Sequence, residues 1–67
     1  MKIILGDLKE SLVVSENTEI KATVKGNIIV ETNCHLLLSG RVLGHVLVKP
    51  HARLELTGHV EGQVIYE

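Results

Sequence analysis

Six side chains in this 67-residue sequence stand out, beside its scattered glutamates, as candidates for metal binding or acid–base work: His35, His45, His51, His59, Cys34 and Asp7. A zinc site built from histidine and cysteine needs them at short, regular spacing, typically two cysteines close together and two histidines three to five residues apart. No such grouping exists, because Cys34 is the only cysteine and no pair of histidines accompanies a cysteine pair. A histidine acting as general base needs a reacting group within reach and, usually, a carboxylate to orient it. His45 and His59 are the nominees, and neither has an orienting carboxylate visible in the sequence. The glycines at 40, 44, 58 and 62 do not form a phosphate loop, since no helix follows to supply its N-terminus. The expectation is therefore a protein that is not an enzyme, with no catalytic, cofactor-binding or metal-binding residues and no cofactor. The histidines read as solvated strand residues and Cys34 as a small core residue.

The elements that position these side chains are legible from a repeat. TEIKATVKGNIIVETNCH (18–35), LLLSGRVLGHVLVKPHAR (36–53) and LELTGHVEGQVIYE (54–67) align without gaps. Gly26, Gly44 and Gly62 then share a column, as do Val24, Val42 and Val60, and also Gly40 and Gly58. A fixed period of this kind marks a solenoid, in which each unit buries its apolar face only by stacking on a neighbour. Within each unit apolar and polar residues alternate, the signature of strands with one buried face. Even-numbered positions are the inward ones. A finer period of six runs through Leu12, Thr18, Val24, Val30, Leu36, Val42, Val48, Leu54, Val60 and Tyr66. Six fits three times into eighteen, so each coil should have three short sides.

The fold class that follows is all-β: a short triangular parallel β-helix of about three 18-residue coils over residues 18–67. Residues 1–17 form an irregular N-terminal strand or cap. There the inward phase would point Glu10 and Glu16 at the core, so Lys9, Glu10, Glu16 and Asn17 are expected to turn to water instead. Gly26, Gly40, Gly44, Gly58 and Gly62, together with Pro50, are read as structural turn residues that need tight backbone or positive φ. A right-handed coil is favoured over a left-handed one, because right-handed crossovers are the rule for parallel strands. Hexapeptide-repeat acyltransferases resemble the chain in their six-residue period, but here the glycines fall two places after the aliphatic residue instead of one.

Composition narrows the partners. Net charge is −1 with neutral histidines, and Tyr66 is the sole aromatic. Neither a positive field nor a stacking platform for nucleic acid is present. The opening Met1-Lys2-Ile3-Ile4-Leu5 is too short an apolar run for a signal-peptide core or a membrane span. A soluble, cytoplasmic protein is expected, and a single cysteine fits a reducing compartment. A domain this small is marginal by itself and commonly gains stability by oligomerising.

Self-association has its own candidates. Ile29, Leu47 and Ile65 share an outward column, which either forms an apolar ladder on the surface or is turned inward by a bend. Val64, Ile65 and Tyr66 close the last coil, whose edge natural proteins seldom leave uncovered. The expected partner is a second copy of the chain, as homo-oligomer or polymer. The alternative is a small fixed oligomer that binds an unknown ligand through outward His45, His59 and Arg41.

The segments Gly40-Arg41-Val42-Leu43-Gly44-His45-Val46 and Gly58-His59-Val60-Glu61-Gly62-Gln63-Val64 resemble the G-x-V-x-G-x-(V/I) phrase of bactofilins, the polymer-forming bacterial cytoskeletal proteins. Thr23-Val24-Lys25-Gly26-Asn27-Ile28 is similar, with Ala22 in place of the first glycine. The resemblance covers residues 18–67. It implies a right-handed parallel β-helix that assembles end to end through its terminal coils into non-polar filaments, without nucleotide. The chain is expected to depart from that family in its shorter core and in lacking disordered flanking tails.

Overall fold

A computed structural model describes residues 1–67. It is all-β, with eleven short strands: β1 (Lys2–Ile4), β2 (Leu12–Val14), β3 (Thr18–Ile20), β4 (Thr23–Val24), β5 (Ile28–Val30), β6 (His35–Leu38), β7 (Arg41–Val42), β8 (Val46–Val48), β9 (Arg53–Leu56), β10 (His59–Val60) and β11 (Val64–Tyr66). They form three sheets in which every pairing is parallel: β1-β3-β6-β9, β4-β7-β10 and β2-β5-β8-β11. Each sheet is one side of a β-solenoid. The chain visits the three sides in turn and rises one rung, about 4.8 Å, per circuit.

The stack has four coils. Coil 1 is β1, an isolated bridge from Leu8 to Val24, and β2; coils 2, 3 and 4 are β3 to β5, β6 to β8 and β9 to β11. The fourth coil, one more than the repeat alone indicated, comes from residues 1–17. Those residues stack in the same inward phase as the rest, with Ile4 over Ile20 and Val14 over Val30. Coils 2 to 4 repeat every eighteen residues, pairing Thr18 with Leu36 and Leu36 with Leu54, whereas coil 1 pairs Lys2 with Thr18 and is two residues shorter.

The missing residues lie at one corner. From Val14 to Thr18 the chain turns within Ser15-Glu16-Asn17, while the matching corners run through Glu31 to His35 and Lys49 to Arg53. The longer corners each contain a turn closed by an N–H donated three residues back, from Cys34 to the Glu31 carbonyl and from Ala52 to the Lys49 carbonyl, both at 3.1 Å. Their tips, Asn33 and His51, have φ of 66°. Pro50 just before His51 supplies the fixed φ that such a turn favours at its first central position. The short corner is held differently, by the buried Thr18 hydroxyl donating to the Glu16 carbonyl at 2.8 Å. Because the side-chain period is two, a loss of two residues leaves inward residues inward.

Glycine works here through space. Positive φ falls at Gly6, Asn33 and His51, and the aligned glycines have none. A Cβ on Gly40 would instead land on the carbonyl oxygen of Ala22 one rung away, and one on Gly58 would land on that of Gly40. These positions admit no side chain because successive coils pass so closely there.

The core is one column of aliphatic side chains per inward position. Val24, Ile28, Val30, Leu36, Leu38, Val42 and Val46 are completely buried, with Ile4, Leu8, Leu12, Leu54, Val60 and Val64 packed partly exposed against them. Cys34 is buried and free, one rung from Ala52, at the edge of this core. The molecule measures only 26 × 24 × 20 Å, so coils 2 and 3 alone are covered on both sides.

Candidate self-association surfaces

Two surfaces combine exposure with apolar character: the outer edge of coil 4 and the outside of the third sheet. On coil 4 the inward residues Leu54, Val60 and Val64 are half-buried, while Leu56 and Tyr66 are exposed at 43% and 66%. Their counterparts one coil earlier, Leu36, Val42, Val46, Leu38 and Val48, are buried. Tyr66 pairs with Val48 and Val64 with Val46, so both stand in core columns and lack only a covering rung. β9, β10 and β11 are edge strands of their sheets, and an edge strand presents a row of unpaired backbone donors and acceptors.

On the third side, Ile29, Leu47 and Ile65 are in register on successive strands and face outward, the first two half-buried and Ile65 exposed. Val13 belongs to the same row through its pairing with Ile29. The eighteen-residue alignment misses Val13 because the short corner shifts coil 1 by two. The row is one residue wide, since each three-residue strand offers a single outward position. Coil 1 adds apolar surface of its own: Met1, Ile3 and Leu5 are exposed, Ile3 on the outer face of β1, while Lys2 occupies the inward column of Thr18, Leu36 and Leu54.

The histidines fall at four separate places. His45 lies on a corner column with Ser11, Asn27 and Gln63, and each acceptor there takes the backbone N–H of the next coil: Asn27 N–H donates to Ser11 Oγ (3.1 Å), His45 N–H to Asn27 Oδ1 (2.8 Å) and Gln63 N–H to His45 Nδ1 (2.9 Å). The Nδ1 lone pair is thereby engaged and the ring proton belongs on Nε2. His35 donates its N–H to Asn17 Oδ1 at 3.0 Å and places Nε2 3.2 Å from Glu55 Oε1. That contact has the separation of an ion pair without hydrogen-bond alignment. His59 Nε2 and Arg41 Nε lie 3.3 and 4.0 Å from the same Glu61 oxygen. Pairs this exposed contribute little to stability. His51 is spent on its turn. No three His, Cys, Asp or Glu side chains converge on one point, and the two surface hollows, beside Lys2 to Thr18 and along Asp7 to Leu12, lie at coil 1.

The chain has no helix, hence none long and apolar enough to cross a membrane. Comparison with protein-family models, curated protein sequences and solved structures finds no match.

Proposed function

We propose that this chain is a structural, self-associating scaffold protein, resembling a minimal bactofilin, that assembles through its terminal coils without nucleotide, in the cytoplasm. The observation that carries this reading is the outer edge of coil 4, where Leu54, Leu56, Val60, Val64 and Tyr66 stand in the core columns with one face uncovered. Covering them with another apolar rung adds burial at about 25 cal/mol per Å² and pairs three edge strands at once. The row of Val13, Ile29, Leu47 and Ile65 is a second, narrower surface that an end-to-end assembly leaves available for lateral contact.

Light scattering across a concentration series, with electron microscopy of the same samples, tests the reading. A mass that grows with concentration, or filaments, is expected. A fixed small oligomer would favour a compact binding module using His45, His59 and Arg41, and a monomer at all concentrations would overturn both. Ile65→Lys or Tyr66→Asp is expected to lower the assembly state while β circular dichroism persists; unchanged mass would remove these residues from the interface.

A further inference from the structure

We infer that copies of this chain stack head to tail, the outer edge of coil 4 in one copy meeting the outer edge of coil 1 in the next, so that the assembly is polar. This rests on the self-association reading and adds its direction, which departs from the non-polar filaments that the bactofilin resemblance implies.

The corner column has a direction. In each of its three bonds the acceptor side chain belongs to the earlier coil and the donor N–H to the later one: Ser11 to Asn27, Asn27 to His45, His45 to Gln63. The series therefore has a sense. Its next acceptor is the side-chain amide of Gln63 on coil 4, and its matching donor place is the Ser11 N–H on coil 1. Only a partner whose strands run parallel, entering with its first coil, continues the series. Two coil 4 edges brought together by a two-fold axis run antiparallel and leave it broken.

The inward columns of the two outer edges also match. The register within the chain places Leu56 over Ile4 of the next copy, Val60 over Leu8, Val64 over Leu12 and Tyr66 over Val14. Each of these pairs is apolar. On the outside, Ile65 meets Val13 and extends the apolar row from copy to copy. Glu61 comes to Lys9 and His59 to Asp7, which are oppositely signed or hydrogen-bonding combinations. Two columns do not match: outward Glu55 meets Ile3, and inward Leu54 meets Lys2, whose stem can lie along the apolar edge with its ammonium in water. Lys2 is the kind of inward-pointing charge that restrains edge-to-edge growth, so it sets how far assembly proceeds. A heterologous contact that does not close extends into a filament.

The test uses the Cys34→Ala background, which the equivalent Ala52 shows to be sterically suitable. Ser15→Cys and Glu67→Cys proteins, exposed positions in one outward column, are mixed and mildly oxidised, with a mass tag on one. Head-to-tail stacking yields disulfides between residue 15 of one copy and residue 67 of another, since columns one rung apart fall within disulfide reach. Disulfides confined to 67–67 or 15–15 pairs in samples that are oligomeric by light scattering would overturn the polar arrangement while leaving self-association intact. A monomeric mixture would overturn both. Independently, Lys2→Leu should raise the mean assembled mass at a fixed concentration and Gln63→Leu should lower it; no response to either would also count against the head-to-tail contact.

Discussion

Coils 3 and 4 carry nearly the same inward residues in the same order, and those residues differ chiefly in what covers them. Val42, Val46 and Val48 are sealed between rungs, whereas Val60, Val64 and Tyr66 occupy identical columns and remain partly or largely open. Burial in a solenoid is thus a property of position in the stack more than of the residue. Hydrophobic patterning defines the columns, and neighbours decide which members of a column become core. The same contrast supports the proposal that a partner covers the last coil.

Substitutions in matched pairs sharpen that contrast, and the largest effect is expected in the inward valines. Val42→Asp should abolish cooperative folding, because a carboxylate sealed at this position has no partner. Val60→Asp should leave a folded protein with a loosened coil 4, since its site is half-open. Circular dichroism and thermal melts of the two decide it; a folded Val42→Asp would disprove the inward phase. Next in size is Gly40→Ala, whose Cβ falls on the Ala22 carbonyl and should cost about 1–3 kcal/mol as an overpacked site. Gly58→Ala makes the same clash with Gly40, yet coil 4 can yield outward, so denaturant titration should find the smaller loss there.

Smaller effects probe the polar corner. His45→Phe removes the acceptor for the Gln63 N–H and should cost about 1 kcal/mol. His45→Asn restores an oxygen of the kind Asn27 already offers one rung below and should keep most of that stability. Equal losses in the two variants would show that the bond is not what matters. At the low end, His51→Asn places a residue better suited to positive φ at that turn. It should stabilise by less than about 0.5 kcal/mol, read as a small rise in melting temperature.

Much of this architecture was legible because stacking writes itself into the sequence at a constant interval. The valines at 24, 42 and 60 and the glycines at 40 and 58 occupy equivalent places and face equivalent surroundings, so they repeat. Coil 1 was harder to read for the converse reason. A two-residue contraction at Ser15-Glu16-Asn17 moves Val14 into the place that the six-residue period assigned to Leu12, and Val13 into a row where Ser11 was aligned. Glu10 and Glu16, which argued against a coil, lie at corners where their side chains reach water. The polar corner column is not legible as a bonded series because Ser11, Asn27, His45 and Gln63 share an acceptor function and no obvious side-chain likeness. Positive φ at Asn33 and His51 was hidden in the same way, since the residues that take it differ while the turn repeats.

The direct test of the stacked-coil account is a nuclear magnetic resonance map of backbone contacts between strands. Close proton contacts should connect Ile28 to Val46 and Val46 to Val64, eighteen residues apart, and Leu12 to Ile28, sixteen apart, in parallel register. Contacts between sequence-adjacent strands in antiparallel register, as in hairpins, would contradict it.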